Sequence, residues 1–106
     1  MSLKSTFSNS TSKSYALALY ELAKDNSHID QVQEGIMSLK ELLRESPDFK
    51  QMIVSPTIRK EDKHNVLLKL AEKNNFNQTL KKFLGFVAIK NRLFFLNKII
   101  ESFLNL

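Results

Sequence analysis

Five apolar residues, Ile29, Val32, Ile36, Leu39 and Leu43, recur at intervals of 3, 4, 3 and 4. Only an α-helix gathers that spacing on one face, because a strand alternates with a period of two. A second seam, Leu93, Leu96, Ile100 and Phe103, repeats at 3, 4 and 3. The 106 residues include two glycines and two prolines. An all-β chain of this length needs a turn every ~8–12 residues, and so many more turn-formers. The length suits one domain with one core. The expected fold is therefore all-α, a compact six-helix bundle that folds alone with a radius of gyration near about 13 Å.

The remaining helices follow from their end signals. Residues 1–12 are rich in serine, threonine and asparagine with no apolar period, and read as a flexible N-terminal arm without the apolar core of a secretory signal. Residues 13–106 read as the folded domain. Helix 1 is expected from about Lys13 to Asp25 with Ser12 as its cap. Ser27-His28-Ile29-Asp30 resembles a capping box that opens helix 2, which runs to about Glu45. Ser46-Pro47-Asp48 restarts the chain as a short helix over Pro47 to Val54, since proline suits a first helical position. After Ser55-Pro56-Thr57-Ile58, helix 4 runs from about Lys60 to Lys73. Its acids lie in the first turn and its lysines in the last. Lys63, Val66, Leu67, Leu70 and Ala71 form its stripe, with the Lys63 stem at its edge. Helix 5 covers about Asn77 to Ile89, and helix 6 begins near Leu93. The apolar pattern reaches Leu106 without a cap, which reads as a boundary inside a longer chain.

Composition closes off most chemistry. With no cysteine there is no disulfide, thiolate metal site or thiol nucleophile. The two histidines, His28 and His64, have no second ligand at helical spacing, so neither a metal nor a cofactor is expected. No phosphate loop is present, and no polar residues converge as a reaction site requires. The chain reads as a non-enzyme.

Charge is uneven. Residues 1–62 carry eight basic and nine acidic side chains (net −1), whereas residues 63–106 carry eight and two (net +6). A basic half admits a nucleic-acid-binding or regulatory adaptor domain. Thirteen lysines against three arginines argue for a solvated face, since base and phosphate forks favour arginine.

Helices 1 and 5 are more apolar than one core stripe requires. In helix 1, Tyr15, Ala16, Leu19, Leu22 and Ala23 share a face, while Leu17, Ala18 and Tyr20 widen it. In helix 5, Leu80, Leu84 and Val87 form a stripe, and Phe83, Phe86 and Ile89 another face. The surplus fits either a thick core or a partner groove.

Three segments carry a family resemblance. Lys13-Ser14-Tyr15-Ala16-Leu17-Ala18-Leu19-Tyr20-Glu21-Leu22-Ala23 resembles the opening helix of the ATP synthase delta subunit, called OSCP in mitochondria. That family shows Arg-x-Tyr-Ala-x-Ala-Leu-Phe-x-Leu-Ala, so Lys13 and Tyr20 replace its arginine and phenylalanine. Ser55-Pro56-Thr57-Ile58 with Lys63 is similar to its Pro-x-Ile…Lys element. The segment from Phe83 to Leu93, with Asn91-Arg92-Leu93, is similar to its Leu-Leu…Asn-x-Arg-Leu segment.

The resemblance implies a six-helix N-terminal domain whose smaller C-terminal domain is absent from this chain. It implies a non-catalytic stator subunit that holds the N-terminal helix of an alpha subunit between helices 1 and 5. The missing domain would meet the b subunit of the peripheral stalk. The subunit would lie on the cytoplasmic face of the bacterial inner membrane, or on the matrix side in mitochondria. Neither nucleic acid nor a small-molecule substrate is implied, and the isolated domain is expected to be monomeric. By position, the groove candidates are Tyr15, Ala18, Leu19, Leu22, Phe83, Phe86, Val87 and Lys90. Ala18 and Gly85 would let a partner backbone approach closely.

Overall fold

The structure is a computed structural model that describes the backbone of residues 3–106 and the side chains from residue 10 onward. Six α-helices follow one another: α1 (Leu3–Asp25), α2 (Ile29–Glu45), α3 (Pro47–Val54), α4 (Lys60–Lys73), α5 (Gln78–Ile89) and α6 (Leu96–Leu104). A single 3-10 turn, Leu93–Phe95, leads into α6. The radius of gyration is 13.1 Å, as the length demands. Among the described residues no helix is long and apolar enough to cross a membrane.

The seams read from the sequence are buried. Val32, Ile36 and Leu39 are fully inaccessible, as are Leu96 and Ile100, and Phe103 is nearly so. α1 lies mainly along α6, α4 mainly along α5, and α5 also touches α1 and α2. This places α5 between neighbours on several sides, which buries Leu80, Phe83, Leu84, Val87 and Ala88 but leaves Phe86 and Ile89 exposed. Gly35 of α2 packs against α5, where a Cβ would collide with Leu80 Cδ2.

Helix ends account for two corrections. α1 begins at Leu3 rather than near Lys13, so residues 3–12 of the expected arm are helical; residues 1 and 2 lie outside the described residues. Ser12 is not a cap. It is fully buried and continues the seam Ser12, Ala16, Leu19, Ala23 at intervals of 4, 3 and 4. No glycine or proline interrupts residues 3–25, and serine costs a helix only a few tenths of a kcal/mol, so no helix breaker stands between Leu3 and Asp25.

Ser27 does not open α2 either. It has φ 58° and forms the left-handed end of α1, and the N-cap of α2 is His28, without a side-chain cap bond. His28 N–H donates to Ala23 O and Ser27 N–H to Lys24 O, the paired bonds of a Schellman motif. Asn75 and Asn91, at φ 56° and 59°, end α4 and α5 with the same two bonds. Asparagine tolerates this region better than most residues, so α4 and α5 stop sharply without glycine, while α1 ends on a serine. Ser46 caps α3 as expected, accepting from Phe49 N–H at 3.2 Å with Pro47 in the first turn.

Lys63 lies in the α4 stripe as expected, but its ammonium is drawn inward with its stem. The stripe of α4 reduces to Lys63, Leu67 and Ala71, while Val66 stays exposed. Lys63 itself is buried, and its Nζ donates to Ile53 O at 3.2 Å and to Ser55 O at 2.7 Å. The ammonium thus satisfies orphan carbonyls at the C-terminal end of α3, where a cation is favoured. Burial pushes its pKa below the usual lysine value. Lys63→Met keeps the aliphatic stem but removes both donated bonds. We expect it to cost about 1–3 kcal/mol in urea denaturation, the range for buried acceptors left unpaired. A variant as stable as the parent would show that solvent replaces the ammonium at no cost.

Candidate functional site

α1 and α5 lie side by side and antiparallel. At one end, Tyr15 near the middle of α1 meets Phe86 late in α5; their ring centroids are 6.2 Å apart at 74°, edge to face. At the other end, His28, just past α1, lies beside Thr79 at the start of α5, with Nδ1 3.4 Å from Oγ1. Between these ends runs an open groove of about 800 Å³. Its lining includes Tyr15, Ala18, Leu22, Phe83 and Phe86, with Asn26, His28, Gln78, Thr79 and Lys82 toward the His28 end.

The lining residues play different parts. Phe83 is 7% exposed and contributes mainly core packing, whereas Leu22 and Phe86 are 49% and 48% exposed. Ala18 is exposed and presents only a methyl group, which leaves the α1 wall low. A half-exposed leucine and phenylalanine facing the same trough form an apolar surface left open among the described residues.

Of the eight candidates from the sequence, five line the groove: Tyr15, Ala18, Leu22, Phe83 and Phe86. Leu19 and Val87 do not; both are fully buried and belong to the core. Leu19 shares a face of α1 with Tyr15 and Leu22, but the core begins partway round that face, and Val87 belongs with Leu80 and Leu84 to the stripe of α5 that the core takes. Lys90 stands at the Tyr15 end, its Nζ 5.6 Å from the Phe86 centroid, and Arg92 lies 5.9 Å from that of Tyr15. Both distances suit cation–π attraction, which holds the two rings in place.

Gly85 faces away from the groove. It is buried against α4, where a Cβ would come within 3.1 Å of His64 Nε2, so its missing side chain admits α4 rather than a partner. A shallower hollow of about 410 Å³ lies on that side, lined in part by His64, Leu68 and Ile89. Phe86 borders both hollows and forms the ridge between them.

The polar residues of the groove escaped the sequence reading because most of them sit in or beside the turns that end α1 and begin α5, beyond the reach of a helical period. Lys82 was within reach, since it precedes Phe86 by four residues and so shares its face.

Fold and groove together define the class: an all-α bundle with an apolar surface groove between two of its helices. The sequence model of the ATP synthase delta (OSCP) subunit matches residues 11–106. An ATP synthase subunit delta from Pelagibacter ubique strain HTCC1062 is 40% identical over 103 residues, covering 97% of this chain and 56% of that protein. The subunit delta of Rhodospirillum rubrum is 46% identical over 90 residues, covering 85% and 48%. That of Caulobacter vibrioides is 36% identical over 92 residues, covering 87% and 50%. No solved structure matches. The chain belongs to the ATP synthase delta (OSCP) subunit family, and it spans about half the length of the curated relatives it matches.

Proposed function

We propose that this chain is the head-binding domain of a non-catalytic stator subunit of the rotary ATP synthase. It holds the N-terminal helix of an alpha subunit in the groove between α1 and α5. The rest of the subunit, outside this chain, joins the b subunit of the peripheral stalk, so that the catalytic head is kept from turning with the rotor. The domain is monomeric by itself and is peripheral to the membrane, on the cytoplasmic face in a bacterium.

One observation carries this reading: the uncovered apolar surface lies on α1 and α5, centred on Leu22 and Phe86, in a member of the delta family. An amphipathic helix laid in such a groove buries apolar side chains at helical spacing and leaves its polar face wet.

The test is titration of the 106-residue chain with a synthetic peptide from an alpha-subunit N-terminus, followed by residue-resolved NMR. Saturable shifts are expected at Ala18, Leu22, Phe83 and Phe86, with affinity falling only modestly as salt rises, because apolar burial drives the contact. A nucleic-acid binder would instead lose affinity steeply with salt through counterion release. Absence of saturable shifts, or shifts confined to α2 and α3, would refute the groove.

A further inference from the structure

The flanking side chains borne by α1 and α5 themselves carry opposite charge, and Arg92, after α5, adds a cation over Tyr15 at one end. On the α5 wall, Lys82 lines the groove near its His28 end, and Lys90 reaches over Phe86 at the other end. On the α1 wall, Glu21 follows Ala18 by three residues and Asp25 follows Leu22 by three, which sets both acids along the edge of the lining face. All four side chains are exposed, and none is part of an ion pair among the described residues.

Backbone electrostatics give a docked helix little reason to prefer one direction. α1 and α5 are antiparallel, so their macrodipoles oppose one another along the groove. Direction therefore falls to the side chains. A helix whose apolar stripe faces down presents one flank to each wall, and reversing its direction exchanges the two flanks.

Building on the groove reading above, we infer that the site selects a charge-split amphipathic helix, acidic on the flank facing α5 and basic on the flank facing α1, and so admits it in one direction. The hand of the helix sets the rule. On α1, counted from Leu22, the core residues Leu19, Ala23 and Ala16 lie clockwise when viewed from the N-terminal end. On antiparallel α5, in the same view, the core residues Phe83 and Val87 lie anticlockwise of Phe86. With the groove uppermost and the view along α1, α5 is on the right. A docked helix parallel to α1 then points toward α5 the residues one before and three after each apolar anchor. An antiparallel helix points the residues one after and three before.

Two peptides of identical composition test this. Both carry the same leucine and phenylalanine anchors. In one, glutamates stand one before and three after the anchors with lysines on the opposite flank; in the other, the two flanks are exchanged. Each carries a nitroxide at its N-terminus, and paramagnetic broadening of the protein amides reports direction. The first peptide is expected to broaden the Tyr15–Phe86 end and the second the Leu22–Thr79 end, each with about tenfold preference over the reverse. A quadruple variant, E21K/D25K/K82E/K90E, is expected to reverse both. If both peptides occupy the groove in the same direction, or in neither preferentially, charge does not orient the helix and the inference is overturned while the groove stands. If an alpha-subunit peptide and both designed peptides all leave Ala18, Leu22 and Phe86 unperturbed, the groove reading fails first, and this inference with it.

Discussion

Phe103→Ala is expected to destabilise the domain by about 3–5 kcal/mol, the cost of emptying a buried phenylalanine site. Phe103 is 5% exposed and lies on the α6 seam, its ring centroid 6.2 Å from that of Tyr20 on α1. The α1–α6 contact is one of the two most extensive in the fold, so there is little freedom to collapse into the void. Small domains are stable by only about 5–15 kcal/mol, so the variant sits near the threshold of folding. Urea denaturation of parent and variant measures the loss, and the midpoint should fall without a change in slope. The folded fraction should keep its affinity for an alpha-subunit peptide, because Phe103 does not line the groove. A loss below about 1 kcal/mol would mean that α6 is not held as the structure shows.

The seam carrying Phe103 was legible because its spacing is helical and its members meet no competing pattern. The same holds for Val32, Ile36 and Leu39 of α2, and for the Ser46-Pro47 start of α3. The errors arose where one residue type serves two purposes. Serine reads as a cap, yet Ser12 replaces an apolar residue inside a seam. Ser27 takes a left-handed conformation that its identity does not announce. The stem of Lys63 was legible as part of the α4 stripe, but the carbonyls its ammonium caps lie eight and ten residues back, on an element whose position depends on the whole fold.

The candidate site was legible in part for a related reason. A helical wheel shows which residues share a face, but not where along that face the neighbouring helix stops. For α1, α6 and the core take Leu19 and leave Ala18 and Leu22 outside. For α5, the core takes Val87 and leaves Phe86 on a ridge. Gly85 shows the converse: its small size had suggested a partner's approach, and the approach belongs to α4.

Phe86→Ala is expected to weaken binding of an alpha-subunit N-terminal peptide by about 2 kcal/mol or more, roughly thirtyfold, while sparing most of the fold. The ring is 48% exposed in the free chain, held by Tyr15 at its edge and Lys90 over its face. A docked helix would cover the remaining half. Aromatic side chains bury roughly 150–250 Å² in full, so about 100 Å² would be newly covered. At about 25 cal/mol per Å² this is worth about 2.5 kcal/mol, the scale of an interface hot spot. Pre-positioning by the two neighbours means that little ordering entropy is lost on binding. The cost to stability should stay well below that of Phe103→Ala, since only half of the ring is buried to begin with. Calorimetric titration and urea denaturation of both variants separate the two roles. Phe103→Ala should lose stability and retain affinity, and Phe86→Ala should do the opposite. If Phe86→Ala instead unfolds the domain while its folded fraction binds normally, Phe86 is a core residue, and the helix must dock on another face.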